Sequence, residues 1–492
     1  MGTIVETEQG RLEGTLEDSV YRFLGIPYAA PPVGELRWQS PAPAPCWDDV
    51  RDSSRFGPCA MQTIGATFDL RVERRSEDCL YLNVWTASTD CERNAPVMVW
   101  IHGGGHLGGA GSEDAFDGFA FAHRGVTLIT FNYRLGAFGY LAHPSLGANF
   151  AVQDAVAALK WVRANVARFG GDPGNVTIFG ESAGAVAVRA LLCCPTAQGL
   201  FHKAVLESAG FERPAFAQEM TYERAQAHAR RLFEKLGTSD PAELRALPSD
   251  IVNRASHELC GLPPPPGQVH TPANLVWVPI ADGEVVPNLN DAPGNQGIPI
   301  LMGCTANEAR YFIKPGVSYR EEQLERMTEV LCASAADRAR AYCSTSGKSV
   351  YELLDEIFTT AIWTEPAYEA AQRFIRTGHP VYYYRFDRVS PGAARTQELA
   401  KHTAEIRYVF GTLTGDDYDA RDREVSVEMQ VAWIAFASGG VPIGTDGVVW
   451  PRFDTTNAAL TIISETVETR PFALTELARI VNSVRTNPDF HP

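Results

Sequence analysis

Gly180-Glu181-Ser182-Ala183-Gly184 constrains this 492-residue chain more than any other stretch. It fits G-x-S-x-G. It lies between an apolar, β-rich run, Asn175–Phe179, and a helix-like run, Ala183–Leu192. A serine held on a sharp strand-to-helix turn needs that context, and small residues on either side let strand and helix pack closely. The motif alone decides little: with Gly and Ser each near 7% of residues, chance supplies one in about one chain in six of this length. Its placement and its partners carry the weight.

The surrounding sequence alternates short β-like runs with helical patterns. Strands are expected at Val97–Ile101, Val126–Phe131, Asn175–Phe179, Ala204–Glu207, Ile298–Gly303 and Val381–Phe386. A helix is expected from Ala151 to Phe169, stopped by Gly170-Gly171-Asp172-Pro173. Strands spaced by helices imply a mainly parallel sheet covered on both faces, hence the α/β class. Two helical, charged stretches without strand alternation, about 211–276 and 318–363, read as insertions over one end of that sheet, with Leu262–Gly267 a stiff connector in the first. The whole chain, 1–492, is expected to form one catalytic domain.

Composition excludes several partners. A net charge of −16 argues against nucleic acid or an anionic membrane surface. No apolar run approaches the roughly 20 residues of a membrane span. The start, Met1–Glu6, is polar and shows no leader, so a cytoplasmic enzyme is the expectation, or a secreted one where a leader has been removed. The ten cysteines form no C-x-x-C pair and no metal-finger spacing.

A serine hydroxyl needs a base to take its proton. On an elbow of this kind the partners follow in chain order, acid then histidine, each on a loop after a strand. Glu308, after Ile298–Gly303, and His402, after Val381–Phe386, satisfy that order. His102-Gly103-Gly104-Gly105 follows Val97–Ile101 and matches an HGGG loop. The amides of Gly104, Gly105 and Ala183 are then the expected donors to an oxyanion. A rival reading uses Gly103, Gly105 and Gly108 as G-x-G-x-x-G in a dinucleotide-binding oxidoreductase. That motif needs a helix opening at once, and Gly109–Ser112 reads as loop.

These motifs resemble the type-B carboxylesterase family. The resemblance also rests on Glu77–Trp85, Asn132–Gly136, Phe169–Pro173 and Glu405–Gly411, and covers nearly the whole chain, most like the bacterial para-nitrobenzyl esterase branch. It implies an α/β-hydrolase fold with Ser182 as nucleophile, His402 as general base and Glu308 as the acid that orients it. It implies a small-molecule ester as substrate, no cofactor and no metal. It implies a supporting polar network of Glu181, Ser208 and Glu405, scaffold ion pairs Arg37–Glu77 and Arg134–Asp154, and a disulfide between Cys59 and Cys79 where the compartment allows one. Monomer and homo-oligomer both stay open. So do a carbamate or amide hydrolase using the same residues and, in another class, a non-catalytic binding module.

The chain departs from the family pattern at several points. His106 stands where Phe usually follows the three glycines, Ala185 and Thr403 stand for usual glycines, and Asn307-Glu308-Ala309 replaces Asp-Glu-Gly. No Trp lies between Cys59 and Cys79, so no choline-type cage is implied. His106 is a candidate pocket residue that favours a polar or charged group near the ester.

Overall fold

The computed structural model describes residues 3–63, 74–217, 219–260, 275–289, 295, 297–454 and 458–486. The expected connector Leu262–Gly267 and part of the first insertion lie outside them. One 13-stranded sheet organises the described residues. Its strands are β1 Thr3–Thr7, β2 Gly10–Glu17, β3 Val20–Pro27, β4 Val50–Asp52, β5 Tyr81–Thr86, β6 Ala95–Ile101, β7 Thr127–Phe131, β8 Gly171–Glu181, β9 Lys203–Glu207, β10 Ile300–Thr305, β11 Val381–Phe386, β12 Ala459–Ile463 and β13 Val467–Pro471. They lie in the order β1-β2-β3-β5-β7-β6-β8-β9-β10-β11-β12-β13, with β4 on β2.

From β7 to β12 every neighbouring pair is parallel. These strands are the six expected from sequence plus β12. Antiparallel pairs extend both margins: β1, β2, β3 and β5 lead into β7, and β13 closes on β12. The sequence reading missed these margins: β1 and β2 alternate between buried and exposed residues, β13 buries none, and the largely buried β3 and β5 went unread.

Successive residues of a strand point to opposite faces, and the core divides accordingly. Val97, Val99, Ile101, Ile178 and Met302 pack on one face. Met98, Trp100, Phe179, Leu301 and Tyr384 pack on the other. The helices Phe150–Asn165 and Ala183–Leu192 cover the first face; Ala420–Gly439 covers the second through Val425, Met429, Trp433 and Phe436. Covering both faces is what an all-buried strand such as Lys203–Glu207 demands. Gly170, at φ 70°, ends the helical run where expected.

The two stretches read as insertions carry helices: Tyr222–Leu236, Pro241–Ala246 and Ser249–Leu259 in one, and Glu321–Cys332, Ala336–Thr345 and Val350–Thr359 in the other. Among the described residues no helix is long and apolar enough to cross a membrane.

The turn after β8 explains the motif's glycines. A Cβ at Gly184 would stand 1.9 Å from the Ile101 carbonyl oxygen, and one at Gly180 only 2.6 Å from the Gly184 carbonyl carbon. Neither neighbour is a flexible side-chain end. Gly184→Ala is therefore expected to cost about 3 kcal/mol or more by forcing β6 from the helix. Urea unfolding of the variant checks this, and an unchanged midpoint would contradict the packing argument.

Candidate active site

The chemistry-bearing residues collect at the carboxyl ends of the parallel strands, where open α/β sheets place their ligands. His102 follows β6, Ser182 follows β8, Ser208 follows β9 and Glu308 follows β10, while His402 and Glu405 lie on the segment after β11. Ser182 has φ 53° and ψ −123°, a conformation that costs a non-glycine residue about 1–3 kcal/mol. Its amide donates to the Glu207 carbonyl at 2.9 Å, and its carbonyl accepts from Val186 at 3.1 Å. The Ala183 amide opens the following helix, among the donors with no intrahelical acceptor.

Glu308 and His402 meet through backbone pairing. Asn307 bridges to Lys401 in parallel register, and the Asn307 amide donates to Ala400 at 2.9 Å. The next residue on each segment is then a neighbour of the other. His402 Nδ1 lies 2.5 Å from Glu308 Oε2, with both side chains buried. Glu308 Oε1 accepts from the Thr305 amide at 2.7 Å, so both carboxylate oxygens are held. Arg310 Nε and Asn307 Nδ2 donate to Asp355 at 2.6 and 2.8 Å, fixing the acid loop to the helix Val350–Thr359. Asn307, a departure from the family pattern, thus has its own partner. Thr403 takes up φ 75°, the glycine-type conformation of the position it fills.

A buried carboxylate cluster lies beside this pair. Ser208 Oγ donates to Glu405 Oε1 at 2.8 Å, and Glu181 Oε1 is 3.1 Å from His402 Nε2. Burial and the neighbouring Glu308, Glu207 and Glu113 carboxylates hold Glu181 well above the usual carboxylate range. Burial and Glu308 do the same to Glu405.

Glu207, absent from the sequence reading, belongs to this cluster. It pairs with Glu181 across β8 and β9, and Trp433 Nε1 donates to its Oε1 at 2.7 Å. Burial pushes Glu207 up to about 8. A charged residue ending an otherwise apolar strand was the available signal. The folded chain therefore binds a proton at Glu207 that the unfolded chain releases above its ordinary value of 4.5. Its contribution is fully present below that value and declines as pH rises towards 8, by about 1.4 kcal/mol per pH unit. Glu207→Gln keeps an acceptor for Trp433 and should flatten that decline in urea unfolding between pH 5 and 8. A parallel decline in parent and variant would contradict it.

The glycine loop after β6 is braced on several sides. Gly104 and Gly105 have φ 102° and 61°. His102 Nδ1 lies 2.9 Å from the Gly103 carbonyl oxygen, its ring stacks on Tyr133 at 4.4 Å, and the Tyr133 hydroxyl donates to the His102 carbonyl at 2.6 Å. Gln62 accepts from the Gly109 amide and donates to the Gly109 carbonyl, both at 2.9 Å. The segment runs through turns, and its first helical residues are Asp114–Phe116, so the helix a dinucleotide fingerprint requires is missing at this point.

His106, at φ 61°, is buried with its ring 4.6 Å from that of Tyr140. Burial pulls it down to about 3, so the ring is neutral across the ordinary pH range. Among the described residues its Nδ1 has no hydrogen-bond partner.

Aromatic side chains unnoticed in the sequence surround His402: Trp363, Phe312 and Tyr311 have centroids 5.5, 5.6 and 5.8 Å from its ring. Trp363 stands on a π-helical turn, Thr360–Thr364, a local irregularity that no periodicity announced. Both scaffold ion pairs are present: Arg37 meets Glu77 at 2.6 and 2.7 Å, and Arg134 meets Asp154 at 2.7 and 2.8 Å, each two-pronged. Cys59 and Cys79 stand as buried thiols, without a disulfide between them.

The carboxylesterase family model matches residues 1–478. Para-nitrobenzyl esterase of Bacillus subtilis is 36% identical over 95% of this chain and 96% of its own. Fumonisin B1 esterase of Sphingopyxis macrogoltabida is 35% identical over 93% and 86%, and phenmedipham hydrolase of Pseudarthrobacter oxydans 34% over 94% and 95%. A solved PNB esterase structure superposes with a TM-score of 0.84 at 33% identity, covering 98% of this chain and all of that one. The shared sheet is that of the α/β-hydrolases, and the chain belongs to the carboxylesterase family as an enzyme acting on esters.

Proposed function

We propose that this carboxylesterase works through an acyl-enzyme on Ser182. The His402–Glu308 contact of 2.5 Å, with His402 Nε2 3.1 Å from Glu181, the residue before the strained serine, supports the reading. His402 Nε2 takes the Ser182 proton as Oγ bonds to the ester carbonyl carbon. The carbonyl oxygen becomes an oxyanion between the amides of Gly104, Gly105 and Ala183, each such donor being worth about 3 kcal/mol in the transition state. Protonated His402 passes its proton to the departing alcohol as the C–O bond breaks. Water then attacks the acyl-enzyme by the same route and frees Ser182. Glu308 holds the imidazole tautomer and stabilises its charge. The helical insertions act as the cap of the site in a single catalytic domain, and Trp363 and Phe312 offer an apolar wall for one side of the substrate.

The substrates are small to medium esters, with a polar group selected by His106. A neutral imidazole gives a hydrogen bond rather than a counter-charge, so hydroxyl-bearing esters fit it better than carboxylates do. His106→Phe should shift preference towards plain aliphatic esters by about tenfold, the worth of one hydrogen bond. Equal specificity ratios in variant and parent would end that reading.

A hydrolysis screen over esters graded in acyl length and charge tests the whole proposal, with Ser182→Ala as blank. Carbamates and amides use the same residues on a poorer leaving group, so matched ester and carbamate pairs separate those activities.

A further inference from the structure

Away from the catalytic residues, a cleft of about 380 Å³ opens near the ends of β3, β4 and β5. Arg51, Arg55, Arg74 and Arg75 line it, against the carboxylates of Asp52 and Asp78. On a chain of net charge −16, four guanidiniums around one cleft are a marked local excess.

The two acids offset part of this charge, Asp52 through the field of Arg55, and leave the arginines in excess at the cleft. Asp52 accepts from the Ser54 amide at 2.9 Å, and Asp78 accepts from the Tyr81 hydroxyl at 3.0 Å. Among the described residues, none of the four arginines forms an ion pair with a carboxylate. Two of them are positioned by their surroundings. The Arg51 guanidinium lies over the rings of Trp47 and Tyr81 at 5.6 and 6.0 Å, and Arg75 donates to the Gln62 carbonyl at 2.5 Å. Arg55 and Arg74 are exposed at the cleft.

We propose that this cleft binds a small multivalent oxyanion, a phosphate or a polycarboxylate. Planar guanidinium forks match both groups with paired hydrogen bonds. Multivalency is favoured because several guanidiniums can each pair with an oxyanion group at short range, whereas salt screens a single exposed contact.

Calorimetric titration tests this on the full chain with Ser182 blocked by an organophosphate. Citrate and inorganic phosphate are the probes, acetate the monovalent control, and chloride holds the ionic strength constant. Expected is binding of one citrate or phosphate per chain with Ser182 blocked, much tighter than acetate. The stronger of the two tells a polycarboxylate source from a phosphate one.

An Arg55→Ser/Arg74→Ser double variant should bind about tenfold more weakly or worse, through loss of charged hydrogen bonds, yet hydrolyse neutral esters at the parental rate. Binding that vanishes when Ser182 is blocked, an unchanged affinity in the double variant, or no heat beyond the acetate control would each overturn the proposal.

Discussion

Ser182→Ala is expected to lower kcat/KM for ester hydrolysis by about 10⁴- to 10⁶-fold while leaving the fold intact. The loss is that large because nucleophile, base and acid act as one unit. Without Oγ no acyl-enzyme forms, and the remaining histidine has no proton to take. The fold should survive because Ala fits the same turn: the backbone bonds to Glu207 and Val186 hold it, and the side chain makes no capping bond to the helix. A residual rate within about tenfold of parent, after correction for background hydrolysis, would remove Ser182 from the reaction.

The second large effect is expected at Glu308→Gln, a fall in kcat of about 10⁴-fold. The substitution keeps the size of the side chain and an acceptor for the Thr305 amide, so the acid loop should stay in place. What it removes is the charge facing His402 Nδ1 at 2.5 Å. An amide in that position can donate to Nδ1 and turn the imidazole to the wrong tautomer, with Nε2 carrying the proton it should be free to accept. Thermal unfolding near the parental midpoint, together with the lost turnover, separates this from simple destabilisation. A kcat within tenfold of parent would leave His402 without need of the acid.

Both effects trace to features with different visibility in the sequence. The elbow is local: Gly180 and Gly184 are demanded by atoms within a few ångströms, and the flanking strand and helix are regular, so the motif reads directly. The HGGG loop reads for the same reason.

Glu308 and His402 are visible only as an order along the chain. Their meeting depends on Asn307 pairing with Lys401, a contact between segments 94 residues apart, which no window of sequence contains. Glu207 was passed over because an acid closing a strand looks like an ordinary strand end. Its burial, and its proton, come from Trp433 on a helix 226 residues away. Trp363 owes its place against His402 to a π-helical turn, where the 3.6-residue period fails. Of the antiparallel margins, β1 and β2 alternate in short runs and β13 buries no residue, whereas central strands such as β6 and β7 carry apolar runs that announce themselves.

The arginine cleft shows the same limit. Arg51 and Arg55 lie near the start of one segment, and Arg74 and Arg75 near the end of another. Only the folded sheet brings the four to a common surface.

The most direct test is mass spectrometry of the enzyme after inactivation by an organophosphate, followed by peptide mapping. One adduct per chain on Ser182, formed in step with loss of ester hydrolysis and abolished by denaturing the protein first, is the expected result. An enzyme that stays fully active with Ser182 labelled, or that loses activity with the adduct on another residue, would contradict the account.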